Sequence, residues 1–408
     1  MNFIGQPADS PMSRRAQEGL GVYGVKLFDF AREHGDQEVP DDVARIDPDI
    51  MTEDSDYFGS ISEAGYSNRS VAVFVLDVRS NKSPWKKGRE AFLPDYEGDF
   101  LGEQQWQWFE TAIRRSQAAV NVVVSGLQFH ADLYPDANVA ESWAKLPRAQ
   151  QRLFDALLQE GVQAPLLISG DVHMTQLMRK DCEKVDGSSY RRRSLVEMTT
   201  SGMTHTWGTV SSPPLSNPKE TPSLRDRYGA FLSSTFMHVL HGVSQMTNLL
   251  LSDGPIDDLH PNGGGEGAKQ GLQYSLEKNF GELEFDWDRQ TVTMRSMGEQ
   301  PDAPPLLMAS WSLDQLSGMD EEIPGSLLTS QDFAYEVDHD AARFSQGRPA
   351  SWVCLNHRGN SSFFGQMFGH LSVVSVLTIL LPFPFLVPSF LMLLFMARKA
   401  KFTYRKSI

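Results

Sequence analysis

The chain has 408 residues, of which 40% are hydrophobic and 22% are charged, as expected for a folded protein with a sizeable core. Its formal net charge is −15 and it has no long basic stripe, which argues against nucleic acid as a partner. The two cysteines, Cys182 and Cys354, have no spacing typical of a structural zinc site. They could pair in an oxidising compartment, and the sequence leaves that question open.

Strand and helix patterns in the first half of the chain predict an α/β fold. Runs of β-branched and apolar residues predict buried strands at 71–77, 119–126, 165–171 and 194–202. Between them lie two amphipathic helix patterns, whose apolar faces carry Trp106, Phe109 and Ile113 in one helix and Leu153, Phe154 and Leu157 in the other. Gly161 is the expected C-cap of the second helix. This alternation predicts right-handed crossovers and a mainly parallel sheet.

The second half is less regular. Residues 208–267 read as an insertion with a helical apolar pattern from Tyr228 to Leu251, and residues 283–297 read as an antiparallel hairpin that turns near 288–290. Residues 371–397 contain no charged side chain and are long enough to cross a bilayer, so they predict a transmembrane helix with a single pass.

Charge and sequons set an expected orientation for that helix. The tail after residue 397 carries five basic and no acidic residues, which predicts a cytosolic tail and a lumenal or extracellular body. The sequons at Asn68, Asn81 and Asn360 agree with a glycosylated lumenal body. Residues 1–15 contain no apolar signal segment, so two explanations stay open: a tail-anchored chain with a cytosolic body, or an N-terminus that lies further upstream.

Polar residues follow each predicted parallel strand, at the edge where sites form in open α/β sheets. Asp171 and His173 are two apart, and in extended backbone both would face one ion while Val172 faces the core. A carboxylate with an imidazole suits zinc, manganese, iron or calcium, although a structural Asp–His hydrogen bond is the alternative. His130 and His205 follow other strands and are weaker candidates.

Four further side chains near the strand ends are considered for structural or pocket roles. Asp77 and Arg79 are expected to form an internal ion pair that orders the end of the first strand. Glu141 is a candidate pocket residue, and Trp143 could equally belong to the core. No G-x-S-x-G, Walker A or G-x-G-x-x-G motif competes with a metal site.

Taken in order, several motifs resemble the PhoD-like (alkaline phosphatase D) branch of the calcineurin-like metallophosphoesterases. They extend over residues 5–316 and read GQPADSPMSRRAQEGLGVYGV, VFVLDVRS, FLGEQQWQWFETAI, VVVSGLQFH, ESWAKLPRAQQRLFDAL, LLISGDVHMTQL, EMTTSGMTH and NFGELEFDWD. The resemblance implies two sheets packed face to face with helices outside, and a two-metal site that hydrolyses phosphate esters. The resemblance also implies that Asp171 and His173 are metal ligands, and that Gln128, His130 and His205 are candidates to contact phosphate in the pocket.

The chain also departs from that family. The family's first metal-binding motifs precede the segment that begins here at Gly5, and no equivalent motif occurs in residues 1–60. We therefore expect the chain to hold the C-terminal portion of the domain and to have little activity by itself. The alternative is a non-catalytic, membrane-tethered binding or scaffold isoform, with a partner covering the incomplete domain.

The expected organisation has six parts. They are the phosphatase portion (1–207), the insertion (208–267), the end of the domain (268–316), a stem (317–366), the membrane segment (367–397) and the basic tail (398–408).

Overall fold

The computed structural model describes eleven ranges of the chain. These are residues 11–30, 67–87, 95–131, 141–184, 192–207, 223–224, 227–229, 231–237, 273–300, 302–318 and 352–354. Its strands are β1 (Gly24–Asp29), β2 (Ser70–Val75), β3 (Val120–Val124), β4 (Pro165–Ser169), β5 (Thr175–Lys184), β6 (Arg192–Thr200), β7 (Tyr274–Ser275), β8 (Phe280–Asp286), β9 (Thr291–Met297), β10 (Leu307–Ser312) and β11 (Trp352–Cys354). Its helices are α1 (Pro11–Gln17), α2 (Glu103–Arg115), α3 (Pro147–Leu157) and α4 (Leu313–Ser317), with a 3₁₀ turn at Trp143–Lys145.

A parallel core of four strands organises the main sheet. Its order is β1-β2-β3-β4-β6-β5-β11, with β7 also paired to β5. The strands β2, β3, β4 and β6 are mutually parallel, which confirms the four predicted strands and the mainly parallel sheet. The flanking strands β1, β5 and β11 are antiparallel to their neighbours. All four parallel strands therefore end at one edge of the sheet.

Helices α2 and α3 cover one face of this sheet with the apolar side chains predicted for them. The residues Trp106, Phe109 and Ile113 of α2 and Leu153, Phe154 and Leu157 of α3 are all buried there. Helix α3 ends earlier than its pattern predicted, because Leu158 is its C-cap. Gly161 lies beyond the cap, in a turn where its φ of 95° is one that glycine adopts without strain.

The opposite face packs on a second, three-stranded sheet of order β10-β9-β8. Val292 and Met294 of this sheet are buried in one cluster with Leu166 and Val196 of the main sheet. The predicted hairpin is present as β8 and β9, with residues 287–290 as its turn. Two sheets packed face to face, with helices outside, are thus observed as the resemblance implied.

Part of that second face remains open. A groove of about 380 Å³ lies between β2–β4 and β8. Its apolar lining includes Val73, Val124, Ile168 and Phe285. Strand β8 forms an edge of the small sheet among the strands described, and exposed Phe280 lies on it.

The cysteine question is answered by the pairing of β5 with β11. Cys354 lies directly opposite Cys182 in the antiparallel register of these strands. The two side chains form a disulfide bond across a sequence separation of 172 residues. This bond joins the far edge of the main sheet to residues that follow the second sheet in the chain.

Several predictions fall partly or wholly outside the described residues. The predicted membrane segment (371–397) and the basic tail (398–408) lie outside them, as do most of the insertion and most of the stem. Within the predicted insertion helix, residues 231–237 are helical. No helix in the described ranges is long and apolar enough to cross a bilayer.

Replacement of both cysteines by serine should destabilise the body of the chain. We expect the free energy of unfolding in urea to fall by about 2–4 kcal/mol, because the bridge restricts a long loop in the unfolded chain. The wild type should lose the same amount in reductant, whereas the double variant should not respond to reductant. Equal stability of oxidised and reduced wild type would contradict the bond.

Candidate functional site

Two loops at the carboxyl edge of the parallel strands bring three candidate residues together. The loop after β4 carries Asp171 and His173, and the loop after β6 carries His205. The imidazole rings of His173 and His205 are 5.1 Å apart between centroids and nearly perpendicular. The side chains of Asp171, His173 and His205 are exposed, so this edge of the sheet presents a carboxylate and two imidazoles to solvent.

Trp207 holds these two loops against each other. Its indole N–H donates to the carbonyl of Val172 at 2.7 Å, and its backbone N–H donates to the carbonyl of His173 at 3.4 Å. The Trp207 ring packs edge-on against the His173 ring, with 6.5 Å between centroids. Val172 and Trp207 also pack on a small apolar cluster around Met174. The two histidines are therefore supported by packing beneath the opening.

The backbone at Asp171 and His173 differs from the extended conformation predicted for it. Strand β4 ends at Ser169, and the φ values of Asp171 and His173 are 76° and 53°. Aspartate and histidine are among the residue types that tolerate positive φ, but each such residue costs on the order of 1–3 kcal/mol. Both side chains are nevertheless exposed while Val172 is half-buried, as predicted. A strained loop that displays two polar side chains is typical of functional sites.

Asp77 anchors the loop after β2, but not through the ion pair that the sequence predicted. Its carboxylate accepts hydrogen bonds from the backbone N–H groups of Val22, Arg79 and Ser80, and from the Ser80 hydroxyl. Burial disfavours the charged carboxylate, but these hydrogen bonds outweigh it and lower the pKa of Asp77 below its usual value. The carboxylate has its partners in the loop, which leaves the Arg79 guanidinium for other groups.

Arg79 instead connects Glu141 with the candidate site. Its guanidinium contacts the Glu141 carboxylate and lies 3.6 Å from the Asp171 carboxylate. Glu141 also accepts from the Lys82 ammonium at 2.9 Å and from the Trp85 indole N–H. Partial burial acts to raise the pKa of Glu141, but these donors together hold it below its usual value.

Trp143, the other residue whose role was open, is a core residue. Its side chain is fully buried and stacks on Phe129, and its indole N–H donates to the Ser125 hydroxyl.

Gln128 and His130 lie inside the protein, not at the exposed edge. The Gln128 amide donates to the Thr199 hydroxyl at 2.9 Å. The fully buried His130 ring makes a 3.0 Å hydrogen bond to the Leu195 carbonyl and packs against Phe154. Both residues are buried, at 6% and 0% exposure respectively. Their predicted role at the pocket stays a prediction, and the structure places them as supports of the loop after β3.

Glu197 is a site-supporting residue that the sequence reasoning missed. It lies in the middle of β6 and is fully buried. Its carboxyl oxygens accept hydrogen bonds from the backbone N–H groups of Phe129 and His130 at 2.9 and 2.7 Å. It also accepts a hydrogen bond from the hydroxyl of Ser169, the last residue of β4. One carboxyl group thus joins the ends of β3 and β4 to β6. The available signal was a single acidic residue inside the otherwise apolar run SLVEM.

Burial moves the pKa values of Glu197 and His130 in opposite directions. Burial raises the pKa of Glu197 to about 7, even though hydrogen bonds from Ser169, Phe129 and His130 and the charge of Lys180 act to lower it. Burial, helped by the charge of Lys180, lowers the pKa of His130 to about 3. Both groups are therefore neutral in the folded protein at weakly acidic pH.

The residues at the edge could supply only some of the ligands of a two-metal centre. Asp171, His173 and His205 are of the types that bind zinc, manganese, iron or calcium. Within the described ranges, however, no group of three or more histidine, cysteine, aspartate or glutamate side chains is arranged to hold a metal ion. A complete two-metal centre would need further ligands besides these residues.

The Glu197–His130 pair predicts opposite pH effects for two single variants. Between about pH 4.5 and 6.5 native Glu197 keeps a proton that the unfolded chain releases, while native His130 lacks one that the unfolded chain binds. Their contributions to the pH dependence of stability cancel in this window. Relative to wild type, the stability of Glu197→Gln should therefore rise with pH, and that of His130→Gln should fall with pH.

For each variant, the difference from wild type in the free energy of unfolding should change by up to about 1.4 kcal/mol per pH unit. Urea unfolding at pH 4.5, 5.5 and 6.5 measures them, with Asp288→Asn at the exposed hairpin turn as a control for a change of surface charge. Parallel pH profiles for all four proteins would contradict the assignment.

Comparison with known proteins identifies the family that this region resembles. Residues 67–225 match the family model described as PhoD-like phosphatase, and this range contains Arg79, Asp171, His173 and His205. The match confirms the resemblance predicted from the sequence motifs. No curated protein matches the chain.

One solved structure, described as "Structure of PhoD", is similar at 13% identity with a TM-score of 0.36. The similarity covers 74% of this chain and 48% of that one, so the chain spans about half of the length of that structure.

Proposed function

We propose that this chain, whose residues 67–225 match the PhoD-like phosphatases, forms part of a metal-dependent phosphoesterase that hydrolyses phosphate esters. The observation that carries the proposal is that the loop with Asp171 and His173 packs, through the His173 ring, against His205 at the carboxyl edge of β4 and β6. The family match supports it, because that match includes all three residues. The strained backbone at Asp171 and His173 also supports it, since such strain is retained where function needs it.

In this proposal each residue has a defined task. Asp171 and His173 contribute ligands to a hydrolytic metal of the zinc, manganese, iron or calcium type, which when bound would supply an activated water. The His205 imidazole, which lies beside His173, donates a hydrogen bond to a phosphate-ester oxygen in this proposal. Gln128 and His130 remain the candidates to orient phosphate, and both belong to the buried network that supports the loop after β3.

Replacement of Asp171 by asparagine tests the catalytic proposal. In the full chain, supplied with each candidate metal, we expect the low rate of hydrolysis of p-nitrophenyl phosphate or bis-p-nitrophenyl phosphate to fall to background, because a metal ligand is removed. Bound metal, measured by mass spectrometry of the purified protein, should fall with it. The matched control is Asp288→Asn, since Asp288 is also paired with an arginine and lies at the exposed hairpin turn. Unchanged turnover and metal content in Asp171→Asn would refute the assignment.

The proposal includes attachment to a membrane. The uncharged run at 371–397 would span the bilayer with the basic tail in the cytosol, and the phosphate esters would then be extracytosolic. Two of the three sequons support this orientation, because Asn68 and Asn81 are exposed on the body. The disulfide bond between Cys182 and Cys354 supports it as well, since such bonds persist in oxidising compartments.

The orientation predicts glycan attachment to the body. The full chain expressed in cells with a secretory pathway should lose apparent mass on treatment with an N-glycosidase, and the Asn68→Gln/Asn81→Gln variant should lose less. Protease added to sealed vesicles should remove the tail while the body stays protected. A body digested by external protease and free of glycan would contradict the orientation.

The open groove favours a second candidate function, in which the chain is a membrane-tethered binding protein. An extended strand with alternating apolar residues would pair with the edge of β8 and fill the groove beside Val73 and Val124. This alternative predicts that a Val73→Asp change abolishes association with such a partner while Asp171→Asn leaves association unchanged. The catalytic proposal predicts instead that Asp171→Asn lowers turnover more than Val73→Asp does.

A further inference from the structure

The loop after β2 places an arginine beside the candidate site. Arg79 follows the end of β2, and its backbone N–H is held by the Asp77 carboxylate at 2.9 Å. The same carboxylate accepts from Val22 and Ser80, so the loop is anchored from three directions. The position of the Arg79 backbone is therefore set independently of its own side chain.

Glu141 orients the guanidinium. Its carboxylate contacts one terminal nitrogen of Arg79, and it is itself held by Lys82 and Trp85. Partial burial and three donors restrict Glu141 to this position. An arginine fixed at one end by an immobile carboxylate presents the rest of its planar group in a defined direction.

The other terminal nitrogen of Arg79 remains poorly satisfied. It lies 3.6 Å from the Asp171 carboxylate, which is too long for a strong hydrogen bond. The Arg79 side chain is 54% exposed and that of Asp171 is 43% exposed. Donors of the guanidinium are thus accessible beside Asp171, whose loop also carries the exposed His173.

We propose that Arg79 binds the phosphoryl oxygens of the substrate, an inference that rests on the proposed phosphoesterase function. A chain with a net charge of −15 repels a phosphate anion on average, so its site needs a local cation. Lys82 neutralises Glu141 from a less exposed position, whereas Arg79 faces the opening. The guanidinium offers paired donors whose spacing matches two phosphoryl oxygens.

A structural role for Arg79 makes a different prediction. Ion pairs this exposed contribute little to stability, so a structural role would leave phosphate affinity unchanged and alter only the melting temperature slightly. A phosphate-binding role predicts weaker binding of inorganic phosphate, a higher KM and a smaller change in kcat. Lysine at the same position should restore part of the affinity, because it keeps the charge but loses the paired donors.

The experiment compares Arg79→Ala, Arg79→Lys and Arg69→Ala with wild type, each as the full chain. Arg69 is the matched control because it precedes β2 at the opposite end of that strand, is 44% exposed and pairs with Asp288. Calorimetric titration with inorganic phosphate gives the affinity, and turnover of p-nitrophenyl phosphate gives KM and kcat. We expect phosphate to bind about 10- to 100-fold more weakly to Arg79→Ala, with Arg69→Ala unchanged.

The outcomes separate this inference from the function on which it rests. Wild-type phosphate affinity in Arg79→Ala, together with normal turnover, would overturn the role of Arg79 and leave the phosphoesterase proposal standing. A wild-type chain that neither binds phosphate nor hydrolyses either ester with any candidate metal would overturn both. Equal losses in Arg79→Ala and Arg69→Ala would also overturn the inference, because they would reflect overall charge and not the site.

Discussion

Four parallel strands that end at one edge are the constraint on which the rest of the structure depends. Strands β2, β3, β4 and β6 are far apart in sequence, but their parallel register places the loops that follow them side by side. A residue gains a place at this edge simply by following one of these strands. For that reason the Arg79 guanidinium approaches the Asp171 carboxylate, and the His173 ring packs beside the His205 ring.

The buried Glu197 carboxyl group helps to hold that edge together. A charged carboxylate is unfavourable when fully buried, and burial therefore raises the pKa of Glu197 to about 7. Three hydrogen-bond donors compensate for part of the lost solvation. In return, one side chain joins the last residue of β4 and the loop after β3 to the middle of β6. His130 is neutral in the same environment, so the pair is buried without net charge at weakly acidic pH.

The exposed edge follows a different electrostatic rule. There Lys82 and Arg79 flank the Glu141 carboxylate, and Arg79 lies between Glu141 and Asp171. Exposed pairs of this kind contribute little to folding, so their value lies in orientation. Arg79 is held by Glu141 at one end of its guanidinium and is accessible beside Asp171 at the other, which is an arrangement suited to anion recognition.

The sequence by itself determined the four parallel strands, the apolar faces of α2 and α3 and the hairpin of β8 and β9, because each depends on a local period of apolar residues. It also singled out Asp171, His173 and His205, since polar residues that follow buried strands stand out in an apolar pattern. The tertiary structure decided what no local pattern encodes: the hydrogen bond from Val22 to Asp77, the disulfide bond of Cys182 with Cys354, the burial of His130 and the role of Glu197. Each of these depends on contact between residues remote in sequence, and a buried histidine or glutamate looks the same in sequence as an exposed one. The positive φ values at Asp171 and His173 belong to the same class, because they follow from how the loops after β4 and β6 pack on each other.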